Sequence, residues 1–116
     1  MEWTVEYYET ANGKKPAREF IQNLPLKLEA KAYMEIGLLE QFGMHLSMPY
    51  SRHIKDGIYE LRIQHAVYKA RIFYFFMIGK RIILTNGFLK KTNKTPPEEI
   101  EKALYYRADY KRRQVI

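Results

Sequence analysis

The sequence contains no cysteine. Disulfides and a thiolate nucleophile are therefore excluded, and a zinc site would have to be assembled from three scattered histidines and carboxylates, so neither a metal nor another cofactor is expected. Long apolar runs are missing too: no window approaches the roughly 18 uncharged apolar residues of a membrane-spanning helix. The opening MEWTVEYYE is acidic and has no apolar core segment, unlike a signal peptide. These absences predict a cytoplasmic chain with no membrane partner. No internal repeat, linker or low-complexity tract divides it.

Hydrophobic residues make up 47% and aromatics 15% of the 116 residues, enough to offset chain entropy with a packed core and to argue against intrinsic disorder. A chain of this length buries roughly two-thirds of the surface its unfolded form exposes. Residues 1–116 are accordingly read as a single domain. The net charge of +7 is unevenly placed. Residues 1–51 hold five Lys/Arg against seven Glu, whereas residues 52–116 hold fifteen against six Asp/Glu. The basic half is a candidate face for a polyanion, with a solvated basic surface as the alternative.

Trp3, Val5 and Tyr7 alternate with polar residues, which predicts a strand closed by a turn at Asn12-Gly13. Pro16 opens a short helix, Ala17 to Asn23. A second helix runs to about Phe42, with Leu28, Ala32, Ile36, Leu39 and Phe42 on one stripe and Gly43 as its stop. After a loop containing Pro49, three strand-like runs follow: Ile58 to Ile63, Val67 to Phe76, and Arg81 to Thr85, the last two joined by a turn at 77–80. Thr95-Pro96-Pro97-Glu98 reads as a capping box that opens a final helix. The expectation is an α+β domain: an N-terminal strand and two helices packed on a twisted antiparallel sheet, a C-terminal helix, and one sheet face left partly open.

That open face has charges to explain. Glu60, Arg62, Lys69 and Arg71 lie on neighbouring strands, and the stretch GFLKKTNKTPPEEI adds Lys90, Lys91 and Lys94 directly after the third strand. Glu60 alone could be a cross-strand partner, worth about 0.2 to 1 kcal/mol. Several cations gathered on one side instead repel one another and ask for an anion. The amides at a helix start beside the lysines would add to the attraction for phosphate. His53 and Lys55, in a loop ahead of the first strand of the meander, are within reach of the same cleft. Tyr68, Phe73, Tyr74, Phe75 and Phe76 are read chiefly as core, and Phe88 as the ring best placed to stack on a base. Tyr105, Tyr106 and Tyr110 could pack on the sheet or face a partner.

YELR (Tyr59 to Arg62), RIFYFF (Arg71 to Phe76), NGFLKKTNKTPPEEIEKA (Asn86 to Ala103) and RADY (Arg107 to Tyr110) resemble the phage-derived, HigB-like branch of the RelE/ParE toxin superfamily. The resemblance implies a RelE-like, microbial-RNase-type fold. It also implies the toxin of a type II toxin–antitoxin pair, a metal-independent endoribonuclease that cuts mRNA on the ribosome. Its partners would be mRNA, the ribosome and an antitoxin, a HigA-like helix-turn-helix protein through which alone promoter DNA is reached. Arg71 would take the scissile phosphate with Arg62 beside it, while Lys90 or Lys91 would donate a proton or hold phosphate. RelE-type relatives carry a lysine near the position of Glu60 and a tyrosine or histidine near the C-terminal end of the site, where this chain reads Lys94-Thr95-Pro96. Glu60 is left with two roles, base or orienting group for Arg62. Lys55, His53, Lys69, Phe88 and Lys94 complete the expected RNA contacts. Two other functions share these residues: a ParE-like inhibitor of DNA gyrase, and an RNA-binding domain without catalysis.

Overall fold

A computed structural model describes residues 2–114. They form β1 (Thr4–Tyr7), α1 (Pro16–Gln22), α2 (Leu26–Phe42), a short 3-10 turn (Gly43–His45), β2 (Ser51–Lys55), β3 (Ile58–His65), β4 (Tyr68–Met77), β5 (Arg81–Leu89) and α3 (Pro97–Gln114). One five-stranded sheet runs in the order β1-β5-β4-β3-β2. Strands β2 to β5 form an antiparallel meander. β1 lies parallel to β5, with Thr4 opposite Arg81, so the sheet is mixed and not purely antiparallel.

The alternation in β1 puts Trp3, Val5 and Tyr7 against the core that α1 and α2 close. Ile21, Leu28, Ala32, Ile36 and Leu39 meet Leu61, Ile63, Ile72, Tyr74, Ile82 and Leu84 across the sheet face. The other face carries a second cluster, in which Ala103 and Tyr110 of α3 cover Ile58, Phe73, Phe75, Ile83 and Phe88. The α+β architecture is as expected, and it is consistent with the RelE-like fold.

Four local expectations need correction. Residues 51–55, read as loop, form the edge strand β2; being paired on one side only, it needs little apolar content and gives a weak sequence signal. β5 continues through Asn86-Gly87-Phe88 to Leu89, past the predicted end at Thr85. α3 begins at Pro97, with the Pro96 carbonyl accepting from the Glu99 N–H, so the cap position falls one residue beyond Thr95. Phe42 and Tyr68, counted as core, are 44% and 62% exposed at the ends of their elements.

α3 is held by polar contacts as well as by its apolar face. The Tyr8 hydroxyl donates to Asp109 at 2.6 Å in a buried site, and Arg112 and Arg113 also reach the Asp109 carboxylate. These donors hold Asp109 below the usual carboxylate range, while burial and the Asp109 bond push Tyr8 up to about 12. Arg107 donates to the Asp56 carbonyl in the β2–β3 turn, and the Tyr110 hydroxyl donates to Glu6 at 3.1 Å. The RADY segment is thus a clamp on both ends of the sheet. Tyr106 stacks on Tyr8, whereas Tyr105 stays exposed.

Two glycines are fixed by close approach. Gly43 turns the chain at a positive φ of 53°, and a methyl there would overlap the Trp3 indole. Gly87 faces the Phe20 ring, which would collide with a β-carbon at that position. Replacing Gly43 by Ala is expected to cost roughly 2 to 4 kcal/mol, through both overlap and strain. Urea denaturation should show a lower midpoint at unchanged slope, and an unchanged midpoint would show that the indole can move aside.

Glu35 is the anomaly of α2, 3% exposed on its buried side. Burial pushes its carboxyl up, and Lys31, 3.7 Å away, offsets this in part. A carboxyl raised in the fold stabilises it below the unfolded value, and that contribution is lost as pH rises through the folded value. Glu35→Gln is therefore expected to gain stability relative to wild type as pH rises from 4 to 7 in thermal unfolding. A growing wild-type advantage over that range would mean that the Lys31 pair dominates.

Candidate functional site

Register assembles a cluster of charge on the α3 face of the sheet. Arg62 of β3 lies opposite Arg71 of β4, and one rung along Glu60 lies opposite Phe73. β2 adds Arg52 opposite Glu60. Residues two apart on a strand share a face, so Arg52, Glu60, Arg62 and Arg71 all project from the same side, as does Lys69. The Lys90 N–H bonds the Lys69 carbonyl at 2.8 Å, which continues this surface onto the connector after β5. α3 packs over the neighbouring Phe73 and Phe75 rungs and leaves Gln64 and Lys69 exposed.

Glu60 is the centre of the cluster and is 0% exposed. Its carboxylate meets Arg52 Nη2 at 3.3 Å and Arg71 Nε at 3.5 Å. Neither oxygen receives a well-aligned hydrogen bond, and Arg71 Nε makes none. Arg71 is itself only 1% exposed, and its Nη1 donates to the Ala70 carbonyl at 3.0 Å. Burial pulls the Arg71 pKa down; Glu60 opposes this, and Arg62 and Arg52 add to it. A guanidinium nevertheless keeps its charge at any physiological pH. Lys90 is lowered as well, first by burial and then by Arg71, with Arg52 and Arg62 contributing and Glu60 opposing. Four cations thus share one carboxylate, and the surplus positive charge, part of it out of water, favours an anion.

The expected site residues separate on this geometry. Arg62, Arg71, Glu60, Lys90 and Lys69 come together. Lys91 and Lys94 stay exposed on the connector. Lys55 pairs with Ile58, at the opposite end of the ladder from the Arg62–Arg71 rung. His53 pairs with Tyr59 and packs edge-on to its ring on the other sheet face, its Nε2 accepting from the Gly57 N–H at 3.0 Å. Phe88, expected to stack on a base, is only 7% exposed and lies against Phe73 with ring centroids 5.5 Å apart, so it is core. Glu60 does not orient Arg62: its partners are Arg71 and Arg52, while Arg62 Nη1 donates to Met48 Sδ at 3.2 Å. The start of α3 already carries Glu98 and Glu99, which offset the helix dipole that was expected to draw phosphate.

Arg52 was missed. Its signal was the alternation of Ser51 and His53 with Arg52 and Ile54, which is visible once 51–55 is taken as a strand.

Glu60→Gln should destabilise the fold by about 3 kcal/mol, because it leaves the buried Arg71 uncompensated. Inorganic phosphate is expected to raise the unfolding temperature of this variant more than that of wild type. The absence of a shift in both proteins would show that the cluster does not hold an anion.

No curated protein sequence matches the chain significantly. The family described as Phage derived protein Gp49-like (DUF891) matches residues 19–107, a span from α1 to the middle of α3 that contains every member of the charge cluster. The chain belongs to this phage-derived Gp49-like family.

Proposed function

We propose that this protein is the toxin of a type II toxin–antitoxin pair of the HigB-like kind, a metal-independent endoribonuclease that cuts mRNA on the ribosome. One observation carries the reading: Glu60 is buried between Arg52 and Arg71, with Arg62 across the ladder from Arg71 and Lys90 within the field of the same charges. RNA cleavage of this type needs cations where the phosphorane gathers negative charge, and a proton for the leaving 5′ oxygen.

In this mechanism the ribose 2′ oxygen attacks the adjacent phosphorus, the P–O5′ bond breaks, and a 2′,3′-cyclic phosphate forms. Arg71, held by Glu60, and Arg62 stabilise the added charge, and Arg52 flanks them. Lys90 donates its proton to the 5′ oxygen, since its lowered pKa makes it a better acid than an ordinary lysine. Glu60 is enclosed between two guanidinium groups and acts by holding Arg71. The 2′ proton leaves to solvent water. An antitoxin, expected as a HigA-like helix-turn-helix protein, would silence the site by covering the basic half of the chain.

Primer extension on a reporter mRNA after brief expression tests the reading directly. Wild type is expected to give discrete cuts within translated codons, and Arg71→Ala none. Growth arrest with intact mRNA would replace the nuclease by a gyrase inhibitor, and RNA binding without cuts would reduce it to a binding domain.

The proton donor has its own signature. A protonated Lys90 is lost as pH rises through its lowered pKa, so the rate should fall on the alkaline side below the ordinary lysine range of about 10.4. Lys90→Arg is expected to slow cleavage on the order of a hundredfold and to abolish that fall-off. An alkaline limb unchanged in Lys90→Arg would assign the proton to another group.

A further inference from the structure

α2 carries two apolar stripes where its place in the fold accounts for one. Leu28, Ala32, Ile36 and Leu39 close the core. On the side turned to solvent, Leu26, Ala30, Tyr33, Met34 and Gly37 recur at helical spacing, and all five are exposed, Leu26 at 81% and Met34 at 65%. The outer side of a surface helix ordinarily holds charge, and a continuous apolar patch there marks a contact surface. Gly37 adds to the anomaly. Glycine inside a helix is less stable than alanine, yet a β-carbon at this position would touch nothing beyond its own helix within 4 Å. Nothing inside the chain requires a glycine there.

The stripe is shaped to receive a helix. Leu26, Glu29, Ala30 and Tyr33 enclose a depression of about 200 Å³, and the Tyr33 hydroxyl donates to Glu29 at 3.4 Å across one rim. Residues at i, i+3, i+4 and i+7 form the hole into which a side chain of a facing helix inserts. Met34 stands on the same face, exposed and unbranched, a side chain suited to filling such a gap. One helix thus offers both hole and knob, so two copies related by a two-fold axis can fill each other's holes. Charge sets the direction. Lys27 near the start of α2 and Glu40 near its end belong to none of the ion pairs among the described residues, and antiparallel helices bring the Lys27 end of one copy beside the Glu40 end of the other. α2 also lies on the sheet face opposite the Glu60 cluster, in the half of the chain that holds five Lys/Arg against seven Glu. Contact there keeps the two basic halves apart.

We propose that the outer face of α2 is a self-association surface, on which two copies of this chain pair through antiparallel α2 helices about a two-fold axis. The proposal stands apart from the ribonuclease reading. Met34 of each copy enters the other's hole, and Ala30 and Gly37 let the two backbones approach closely. Both Glu60 clusters face outward in the pair. A single helix contact buries less than the roughly 1,600 Å² of a standard interface, so the pairing is weak and the dilute protein is monomeric. A Kd on the order of 10 to 100 µM is expected.

Analytical ultracentrifugation of the full chain, from about 5 to 500 µM, tests the pairing. The average mass of wild type is expected to rise across that range from the monomer toward the dimer. Met34→Asp should weaken the pairing more than about tenfold, because a charge would enter the apolar hole. Gly37→Gln should also abolish the pairing, yet raise the unfolding temperature of the dilute monomer, since glutamine is the better helix former. A residue that served only the fold would not separate those two readings. Lys27→Glu and Glu40→Lys should each weaken association, and the two together should restore it to within about threefold of wild type. A wild type that stays monomeric at about 500 µM would overturn the proposal and leave the stripe to a helix of another protein. Association that persists in Met34→Asp and Gly37→Gln would overturn it by placing the contact elsewhere. A charge swap that restores nothing would overturn the antiparallel pairing.

Discussion

Glu60 is enclosed by protein with Arg71 against one oxygen and Arg52 against the other, and much of the molecule is arranged around that fact. A carboxylate with no exposure cannot exchange its partners for water, so the strands that carry those partners must hold their register. One residue of slip would send Arg71 to the α1–α2 side of the sheet and leave Glu60 alone. The same burial deprives Arg71 of solvent and keeps its charge beneath the surface. Lys90 lies within the field of these charges and has its proton affinity set by them.

The sheet divides its two faces unequally. α1 and α2 seal one side with an apolar layer, and Phe20 presses on Gly87 so closely that the β5 backbone is fixed from behind at the rung next to Arg71. On the other side α3 covers the phenylalanine rungs, Phe88 opposite Arg71 included, and leaves Gln64 and Lys69 exposed. Because α3 is tied to β1 and to the β2–β3 turn by Asp109, Tyr110 and Arg107, it cannot slide along the sheet to cover the cations. A fully covered face would have no site, and a bare one would expose the phenylalanines.

Much of this was legible in the sequence. The periodicity of Leu28, Ala32, Ile36 and Leu39, and the alternation of Tyr59, Leu61 and Ile63, report burial directly, and the structure buries or half-buries all seven. Arg62, Arg71 and Glu60 followed from the same alternation. What was not legible depends on partners distant in the chain. Ser51 to Lys55 has little apolar character because β2 borders the sheet, and without that strand Arg52 has no assigned face. Phe88 looked available because it stands beside three lysines, but β5 runs on to Leu89 and turns the ring inward. Glu35 interrupts an apolar stripe, and nothing nearby in sequence explains it. Its burial follows from the way α2 lies along the free end of β3.

The clamp between β1 and α3 bears on the order in which the molecule can assemble. Tyr8 and Asp109 are separated by 101 positions, and β1 pairs with β5, the last strand made. During synthesis, which runs from the N-terminus, the first strand waits for its strand partner until Leu84 has emerged, and Tyr8 waits for most of the final helix. Contacts this distant in sequence slow closure and make it nearly all-or-none. The chain therefore acquires its charged cluster and its covering helix almost together.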